Sequence, residues 1–314
     1  MRPSALSGSD GVVVATERHR RLCCYQLATG EVVWDVGVGD AYGFLVVGQG
    51  VALYLDQSGT LTCFELEDGR RRWSVDGERL SGQLLLSESA VLSGGWRGYR
   101  PFGARHLETG DPLWRSDNYE PIDLHWPILE GGSVLVSARG STAVDRIDPN
   151  SGEVLARLQV PEPVVSADNQ AAFTRTPSGS VIFRVGSSSV AELDENGVAL
   201  VWRGSSDLGD SGPPFMVAGK LWVPLLHGVA VLDPQLNASE FVVVQEGPAP
   251  GFGAVGSITV VASRAGAVLA LDSDGARIAQ LNISTRSSGL HQVSDDTAVI
   301  AIKGELVAVR FSSD

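Results

Sequence analysis

The sequence predicts an all-β fold, an eight-bladed β-propeller of four-stranded antiparallel blades, and three observations predict it. Similar ten-residue segments recur, a period of about forty residues runs through the chain, and each unit is strand-like with hardly any helical periodicity. The recurring segments read LATGEVVWDV at 27–36, LEDGRRRWSV at 66–75 and LETGDPLWRS at 107–116. A fixed period of this length is the pattern of a repeat architecture.

The period is marked by a glycine that ends a turn in each unit. The markers are Gly30, Gly69, Gly110, Gly152, Gly197, Asn237 in place of a glycine, and Gly275. Successive markers are 39, 41, 42, 45, 40 and 38 residues apart. One further interval of 39 residues reaches Asp314. We therefore expect the eighth blade to lack its outer strand. Residues 2–8 are expected to form either the inner strand of the first blade, which the register favours, or that missing outer strand.

Two columns of apolar residues recur in every unit. The first column comprises Leu27, Leu66, Leu107, Ile147, Leu193, Leu232, Leu271 and Val309. The second, three residues earlier, comprises Cys24, Cys63, Ala104, Val144, Val190, Val229, Val268 and Leu306. Because an odd spacing places the columns on opposite faces of a strand, both faces of each sheet must be buried. A ring of blades achieves this without helices.

Turn and aromatic residues fit the same repeat. The residue after the first column is acidic in six units, where aspartate can accept hydrogen bonds from the amides of its own turn. Four residues beyond the glycine stand Trp34, Trp73 and Trp114, with Phe241 at the matching place in unit six and Trp202 displaced by one. We expect these aromatic side chains to seal each blade against the next.

The repeat divides the chain into blades within one propeller domain, 1–314. The expected blades are approximately 2–38, 41–77, 80–118, 123–160, 166–206, 211–247, 248–284 and 288–314.

Composition narrows the function. The net charge of -13 opposes binding to nucleic acid phosphates, and the longest apolar runs are too short to span a membrane. Three cysteines are too few for a disulfide framework, and the N-terminal segment has no apolar run of the length that a secretory signal needs. These features predict a cytoplasmic protein that binds neither nucleic acid nor membrane.

A turn with a leading leucine and a final glycine, followed four residues later by tryptophan, resembles the pyrroloquinoline quinone (PQQ)-like propeller repeat. Quinoprotein alcohol dehydrogenases and non-enzymatic outer-membrane assembly lipoproteins share this repeat, and the resemblance covers nearly all of the chain. It implies the fold. The repeated residues are packing residues, so the resemblance specifies no activity.

Several motifs are similar to catalytic or metal sites, and the sequence favours a structural role for each. The resemblance to quinoproteins implies a possible vicinal disulfide at Cys23 and Cys24, but Cys24 falls in a buried column, which favours free structural cysteines. GDSGPP at 209–214 is similar to the nucleophile segment of chymotrypsin-like proteases but lacks its second glycine, which favours a loop. Ordinary turn or strand roles are likewise expected at Asp207, Asp210, Asp295, Asp296, His19, His106, His125, His227 and His291.

One insertion breaks the repeat. In unit three the connection between the second and third strands expands to GGWRGYRPFGAR at 94–105, and the link RSDNYEPIDLHW at 115–126 is expected to emerge on the same face. Insertions in repeat arrays map to one face, often the binding face, and aromatic and arginine side chains anchor interfaces. The predicted partner-binding residues are Trp96, Arg97, Tyr99, Arg100, Phe102, Tyr119, His125 and Trp126. An alternative is that the insertion plugs the central channel.

We therefore expect a non-catalytic intracellular scaffold, a subunit of a bacterial multiprotein complex, that binds another protein through loops on one face. No cofactor, metal or catalytic residue is expected. Two alternatives stay open. One is a quinoprotein oxidoreductase that binds PQQ and calcium, and the other is a periplasmic outer-membrane assembly factor, which needs an export signal.

Overall fold

The computed structural model describes most of the chain. The described residues are 6–9, 11–17, 20–39, 43–79, 81–116, 123–166, 171–176, 178–194, 197–203, 213–233, 238–283, 287–294, 297–302 and 305–310.

The first four sheets follow one another along the chain, each with its strands in sequence order. The first sheet contains β1 (Leu6–Ser9), β2 (Val12–Glu17), β3 (Arg21–Gln26) and β4 (Val32–Gly37). The second contains β5 (Gly43–Gly48), β6 (Val51–Asp56), β7 (Leu61–Glu65) and β8 (Arg71–Val75). The third contains β9 (Leu85–Leu86), β10 (Ala90–Ser93), β11 (Gly103–His106) and β12 (Pro112–Arg115). The fourth contains β13 (Ile128–Glu130), β14 (Ser133–Val136), β15 (Ala143–Ile147) and β16 (Val154–Gln159).

The last four sheets continue the pattern with two variations. The fifth has five strands, β17 (Val164–Val165), β18 (Phe173–Arg175), β19 (Val181–Val185), β20 (Ser189–Asp194) and β21 (Gly197–Arg203). The sixth contains β22 (Phe215–Val217), β23 (Lys220–Leu225), β24 (Gly228–Asp233) and β25 (Ala238–Val243). The seventh contains β26 (Pro248–Val255), β27 (Ile258–Ser263), β28 (Ala267–Leu271) and β29 (Arg277–Asn282). The eighth contains three described strands, β30 (Ser287–Ser294), β31 (Thr297–Ile302) and β32 (Glu305–Arg310).

Eight antiparallel sheets in chain order confirm the predicted fold class, an eight-bladed β-propeller whose last blade is small. The single helix among the described residues is a 3-10 turn at Trp96–Gly98. As predicted, β1 pairs with β2 as the first strand of the first sheet. The fifth and eighth sheets begin at Val164 and Ser287, slightly before the expected blade starts.

The chain groups into two compact units. The first comprises Met1–Asp123, Pro149–Glu153 and His291–Asp314. In it, the first sheet packs on the second through Val14, Cys24 and Trp34. The second sheet packs on the third through Leu53, Cys63 and Trp73, among others. Val13 and Ala15 of the first sheet pack on Val299 of the eighth, so the two ends of the chain's repeat meet within this unit.

The second unit comprises Leu124–Asp148 and Val154–Leu290. Its fifth sheet shows why both apolar columns are needed. Phe183 packs on the side of the fourth sheet, whereas its neighbour Ile182 packs on the side of the sixth, because successive side chains of a strand point to opposite faces. Another apolar cluster joins the sixth and seventh sheets.

The repeated tryptophans seal neighbouring sheets, as predicted. The indole Nε1 of Trp34 donates to the carbonyl oxygen of Leu66 at 2.7 Å, and Trp73 donates to Leu107 in the same way at 2.7 Å. Trp114 donates to the carbonyl of Pro149 at 2.9 Å. Each ring also covers the turn glycine of the following repeat. A Cβ built on Gly69, Gly110 or Gly152 would lie 2.8, 2.8 or 2.5 Å from the ring of Trp34, Trp73 or Trp114, respectively.

In the sixth sheet the sealing residue differs from the prediction. The Phe241 side chain is 53% exposed, whereas a Cβ on Gly275 would lie 2.8 Å from a methyl carbon of Val242. The first three sheets carry a β-bulge beside the tryptophan, whereas the outer strand of the sixth sheet pairs without one. Without the bulge, the residue that faces the next sheet is Val242 and not Phe241. Trp202, displaced in sequence, occupies the sealing position opposite Val190.

Candidate functional site

The insertion in the third sheet is a closed loop between β10 and β11. The Gly94 amide donates to the Ser81 carbonyl at 2.8 Å, and the Gly95 amide donates to the Arg100 carbonyl at 2.8 Å. Gly94 has a φ of 97°, and a Cβ there would lie 2.1 Å from the Pro101 carbonyl oxygen, so this crossing requires glycine. The segment Gly103 to Arg105, expected to be part of the insertion, belongs to β11.

Two aromatic rings and a guanidinium group form the outer part of the loop. The Trp96 and Tyr99 rings meet edge to face with centroids 5.6 Å apart, and Arg97 Cζ lies 5.1 Å from the Trp96 ring centroid. Tyr99 is 55% exposed, Arg97 is exposed and Trp96 is half-buried. We call Trp96, Arg97, Tyr99 and Arg100 the insertion surface.

The backbone of the insertion surface is held in place from two sides. The Arg97 amide donates to Asp123 Oδ1 at 2.6 Å, and Arg97 has a φ of 51°, which is uncommon for a residue with a side chain. A Cβ on Gly82 would lie 2.5 Å from Trp96 Cβ, so the loop lies directly on the Gly82 backbone. These contacts fix the position from which the aromatic pair projects.

Beneath the loop lies a buried carboxylate, Glu78, whose side chain is 6% exposed. Glu78 Oε1 accepts hydrogen bonds from Arg105 Nη2 at 2.7 Å and Nε at 3.1 Å, and Oε2 accepts one from Ser81 Oγ at 3.0 Å. Arg100 Nη2 lies 3.6 Å from the same carboxylate. Burial raises the pKa of Glu78, but the Arg105 hydrogen bond, the Arg100 and Arg105 charges and the Ser81 hydrogen bond outweigh it and lower the pKa.

The remaining predicted site residues lie elsewhere. Phe102 is 1% exposed and packs edge to face on Trp114 at 5.7 Å, so it belongs to the core of the third sheet. His125 is 2% exposed, with its Nδ1 2.8 Å from Ser166 Oγ. Trp126 is half-buried and forms an isolated parallel bridge with Ala171. Tyr119 lies outside the described residues.

Among the described residues, these placements leave Trp96, Arg97, Tyr99, Arg100 and Trp126 as candidates for a partner surface. Phe102 and His125 are buried and present nothing to a partner, while Arg100 is partly engaged with Glu78. The sequence interpretation also missed Glu78 and Arg105, because it followed the apolar columns, and both residues lie at polar positions outside them. The signal in the sequence was an acidic residue, Glu78, in a short connection between two blades, together with an arginine, Arg105, within a strand.

The cysteines are free buried thiols, as expected. Burial raises the pKa of Cys24 to about 11. Burial, with the charges of Glu17 and Asp35, raises the pKa of Cys23 to about 12. Thiols of this kind are poor nucleophiles near neutral pH.

The other candidate motifs form no assembled site in the described part of the chain. Asp207, Asp210, Asp295, Asp296 and His19 lie outside the described residues, as does most of the 209–214 segment. Within the described ranges, no group of three or more histidine, cysteine, aspartate and glutamate side chains is placed to hold a metal ion. None of the described residues belongs to a helix with the length and hydrophobicity of a membrane span.

Eight antiparallel sheets, the first three of which carry a tryptophan that seals on the turn glycine of the next repeat, define a PQQ-like β-propeller. The family described as outer membrane protein assembly factor BamB matches residues 3–97 and 103–313, and the chain belongs to this family. The matched residues leave out 98–102, which lie inside the insertion.

Individual relatives agree with the family. The outer membrane protein assembly factor BamB of Alkalilimnicola ehrlichii is 28% identical over 174 residues, which span 48% of this chain and 43% of that protein. The crystal structure of BamB from Moraxella catarrhalis superposes with a TM-score of 0.79 at 15% identity, covering 98% of this chain and 94% of that one. A europium-containing methanol dehydrogenase shares the fold with a TM-score of 0.67 at 11% identity, covering 96% of this chain and 83% of that one.

The family corrects one prediction. The expected cytoplasmic location is wrong, because the matching family and the Alkalilimnicola relative are both named for assembly of the outer membrane. The prediction rested on the lack of a recognisable leader in the N-terminal residues, and a short N-terminal segment is a weak indicator of location.

Proposed function

We propose that the chain is a non-catalytic assembly factor of the outer membrane, and that it binds a partner protein through the insertion surface. The observation that carries this proposal is the fixed aromatic pair of Trp96, which is half-buried, and Tyr99, which is exposed, on a loop whose Arg100 approaches the buried Glu78. The proposal treats residues 1–314 as one propeller domain.

The family supports the general role. The Alkalilimnicola relative is named as an assembly factor, but the matched segment spans less than half of it, so its activity comes to this chain only as a proposal. The same name supports a location at the cell envelope and a function that depends on protein contacts.

The structure supports the particular surface. Aromatic and arginine side chains provide most of the binding energy in protein interfaces, and rigid ones lose little conformational entropy on binding. The insertion surface has both residue types, and its backbone is fixed by Asp123 and by the Gly94 and Gly95 amides. The family match leaves out 98–102, so Tyr99 and Arg100 lie outside the matched residues, whereas Trp96 and Arg97 lie inside them.

The first test replaces Tyr99 with alanine. We expect binding to the envelope partner to weaken by about 1 to 4 kcal/mol, because a truncated aromatic anchor leaves its pocket on the partner unfilled. The Tm should stay nearly unchanged, since Tyr99 is more than half exposed. Binding is measured by affinity capture from solubilised envelopes, followed by titration with the identified partner.

Leu155→Ala is the matched control, because Leu155 is also 55% exposed but lies on β16, away from the insertion in sequence. It should leave both binding and Tm unchanged. If Tyr99→Ala lowers the Tm and spares binding, the insertion has a structural role and the proposed surface is wrong.

The second test addresses catalysis. The methanol dehydrogenase shares the fold alone, and the residues of this chain that match the repeat are packing residues. We expect no dye-linked alcohol oxidation after reconstitution with PQQ and calcium or a lanthanide. Turnover at about 1 per second or faster, in the ordinary enzymatic range, would overturn the non-catalytic assignment.

A further inference from the structure

Arg100 of the insertion surface lies beside a carboxylate whose oxygens are already engaged. Glu78 Oε1 accepts two hydrogen bonds from Arg105. Glu78 Oε2 accepts one from Ser81 Oγ at 3.0 Å and one from Ser93 Oγ at 3.4 Å. Arg100 Nη2 lies 3.6 Å from Oε1, which is too far for a hydrogen bond. Glu78 therefore keeps its hydrogen bonds whether or not Arg100 stays close to it.

The guanidinium group of Arg100 can bind a further carboxylate. Its side chain is 32% exposed, and among the described residues Glu78 is the one acid in ion-pair contact with it. A guanidinium group donates in a planar fork that fits both oxygens of a carboxylate, with hydrogen bonds of about 2.7 to 2.9 Å. An incoming carboxylate therefore gains shorter contacts than the one that Arg100 makes to Glu78.

The Arg100 side chain belongs to the same closed loop as the aromatic pair. The Arg100 carbonyl accepts the Gly95 amide at 2.8 Å, and the Tyr99 amide donates to the Trp96 carbonyl at 3.1 Å. The Tyr99 ring is exposed and meets the Trp96 ring edge to face. Tyr99 and Arg100 are consecutive, so the loop presents an apolar group and an anion-binding group to the same ligand.

The other charges around the loop favour an acidic ligand. Arg79, on the connection from β8 to β9, and Arg97 are both exposed. The described carboxylates near them are directed elsewhere. Asp123 Oδ1 accepts the Arg97 amide at 2.6 Å, and Asp76 Oδ1 accepts a hydroxyl of the β6–β7 turn at 2.8 Å. An acidic side chain that approaches Arg100 therefore meets further arginine charges.

The net charge of the chain favours a short acidic segment over an extended anionic surface. The whole chain has a net charge of -13, which repels a broad layer of negative charge such as an anionic membrane. A single carboxylate bound at the loop is screened from distant charges, because the Debye length is about 8 Å at physiological salt. The local arginines then dominate its interaction.

We propose that the insertion surface binds an acidic segment of its partner protein, in which a carboxylate pairs with Arg100 and a neighbouring apolar side chain packs on Tyr99. This inference rests on the proposed function, because it specifies the chemistry of the partner at the same surface.

The experiment uses random peptides displayed on phage, selected on the full chain and then depleted on the Tyr99→Ala variant. The peptides that remain bind through the insertion surface. We expect them to be enriched in aspartate and glutamate next to an aromatic or aliphatic residue. A selected peptide whose aspartate and glutamate are replaced by asparagine and glutamine should bind the chain at least about tenfold more weakly.

Variants of Arg100 show whether that carboxylate is recognised by this side chain. Arg100→Gln should weaken binding of the acidic peptide at least about tenfold and leave binding of its neutral form unchanged. Arg100→Lys keeps the charge but loses the fork, so its affinity should be intermediate. Thermal unfolding should show that both variants remain folded, because Glu78 keeps its bonds to Arg105 and Ser81.

Arg70→Gln is the control for loss of an exposed positive charge. The Arg70 side chain is 68% exposed and pairs with Glu65. It lies in the β7–β8 turn, at the opposite end of β7 from the β6–β7 turn, which corresponds in the repeat to the insertion. This variant should bind the acidic peptide as the parent chain does.

The possible failures separate this inference from the proposed function. Selected peptides that are neutral or basic, or acidic peptides that bind Arg100→Gln as tightly as the parent chain, would overturn the inference and leave Tyr99 as a partner contact. If no peptide distinguishes Tyr99→Ala from the parent chain, the proposed function fails as well. Binding to vesicles of phosphatidylcholine and phosphatidylglycerol that is lost in Arg100→Gln would identify an anionic membrane as the occupant and refute the acidic segment.

Discussion

Gly110→Ala should lower the free energy of unfolding by about 2 to 5 kcal/mol, the largest effect of a single methyl group that we expect in this chain. Gly110 has a φ of 76°, where a residue with a side chain is strained, and its Cβ would lie 2.8 Å from two atoms of the Trp73 ring. The ring is held by its hydrogen bond to Leu107, so it must shift and weaken the seal between the second and third sheets.

Gly30→Ala is the matched control, because Gly30 occupies the same turn position with a φ of 74° but has no described atom within 4 Å of its Cβ. It should cost only the backbone strain, about 1 to 2 kcal/mol. Urea unfolding of both variants followed by circular dichroism measures the difference. Equal losses would show that the tryptophan contact contributes nothing beyond the turn conformation.

Glu78→Ala should lower the free energy of unfolding by about 2 to 4 kcal/mol. The substitution removes the acceptor of the Arg105 and Ser81 hydrogen bonds and leaves Arg105, with a side chain that is 22% exposed, without its counter-charge. Because this network supports the insertion, the loop should also exchange its amide hydrogens faster. Thermal unfolding and hydrogen exchange at 94–102 report the two effects.

The pH dependence gives an independent test of Glu78. Its folded pKa lies below the ordinary value of 4.5, so the carboxylate stabilises the protein above that pH. This contribution is lost as the pH falls through the folded pKa. Glu78→Gln should therefore flatten the acid limb of the stability profile. Glu108→Gln, which removes an exposed partner of Arg72, should change stability by less than about 1 kcal/mol.

The sequence predicted the repeated part of the fold because packing recurs there at a fixed spacing. Trp34, Trp73 and Trp114 seal neighbouring sheets, and the turn carboxylate of Asp272 accepts amides of its own turn, from Asp274 at 3.0 Å and Ala276 at 2.8 Å. Each of these features depends on local spacing alone, so it can be read from one sequence.

The sequence could not predict where the repeat changes its register. Phe241 was aligned by counting from the turn, but the absence of a bulge in the outer strand of the sixth sheet gives its place to Val242. A bulge changes which face a residue presents without changing chain length, so counting cannot detect it.

The candidate site was predicted in part for a similar reason. The composition of the insertion pointed to an exposed aromatic and arginine surface, and Tyr99 and Arg97 are exposed. Composition could not show that Phe102 turns into the core or that Arg100 approaches Glu78, because both depend on contacts between residues distant in the chain.

The central claim is that the insertion surface contacts a partner protein of the cell envelope, and photo-crosslinking tests it most directly. A photoreactive amino acid is placed at Tyr99, and at Leu155 as a control of equal exposure, in cells that produce the full chain. We predict one dominant crosslink from position 99 to a protein of the outer-membrane assembly apparatus, and none from position 155. Equal labelling from both positions, or no crosslink from position 99 while the protein is folded and abundant, would contradict the claim.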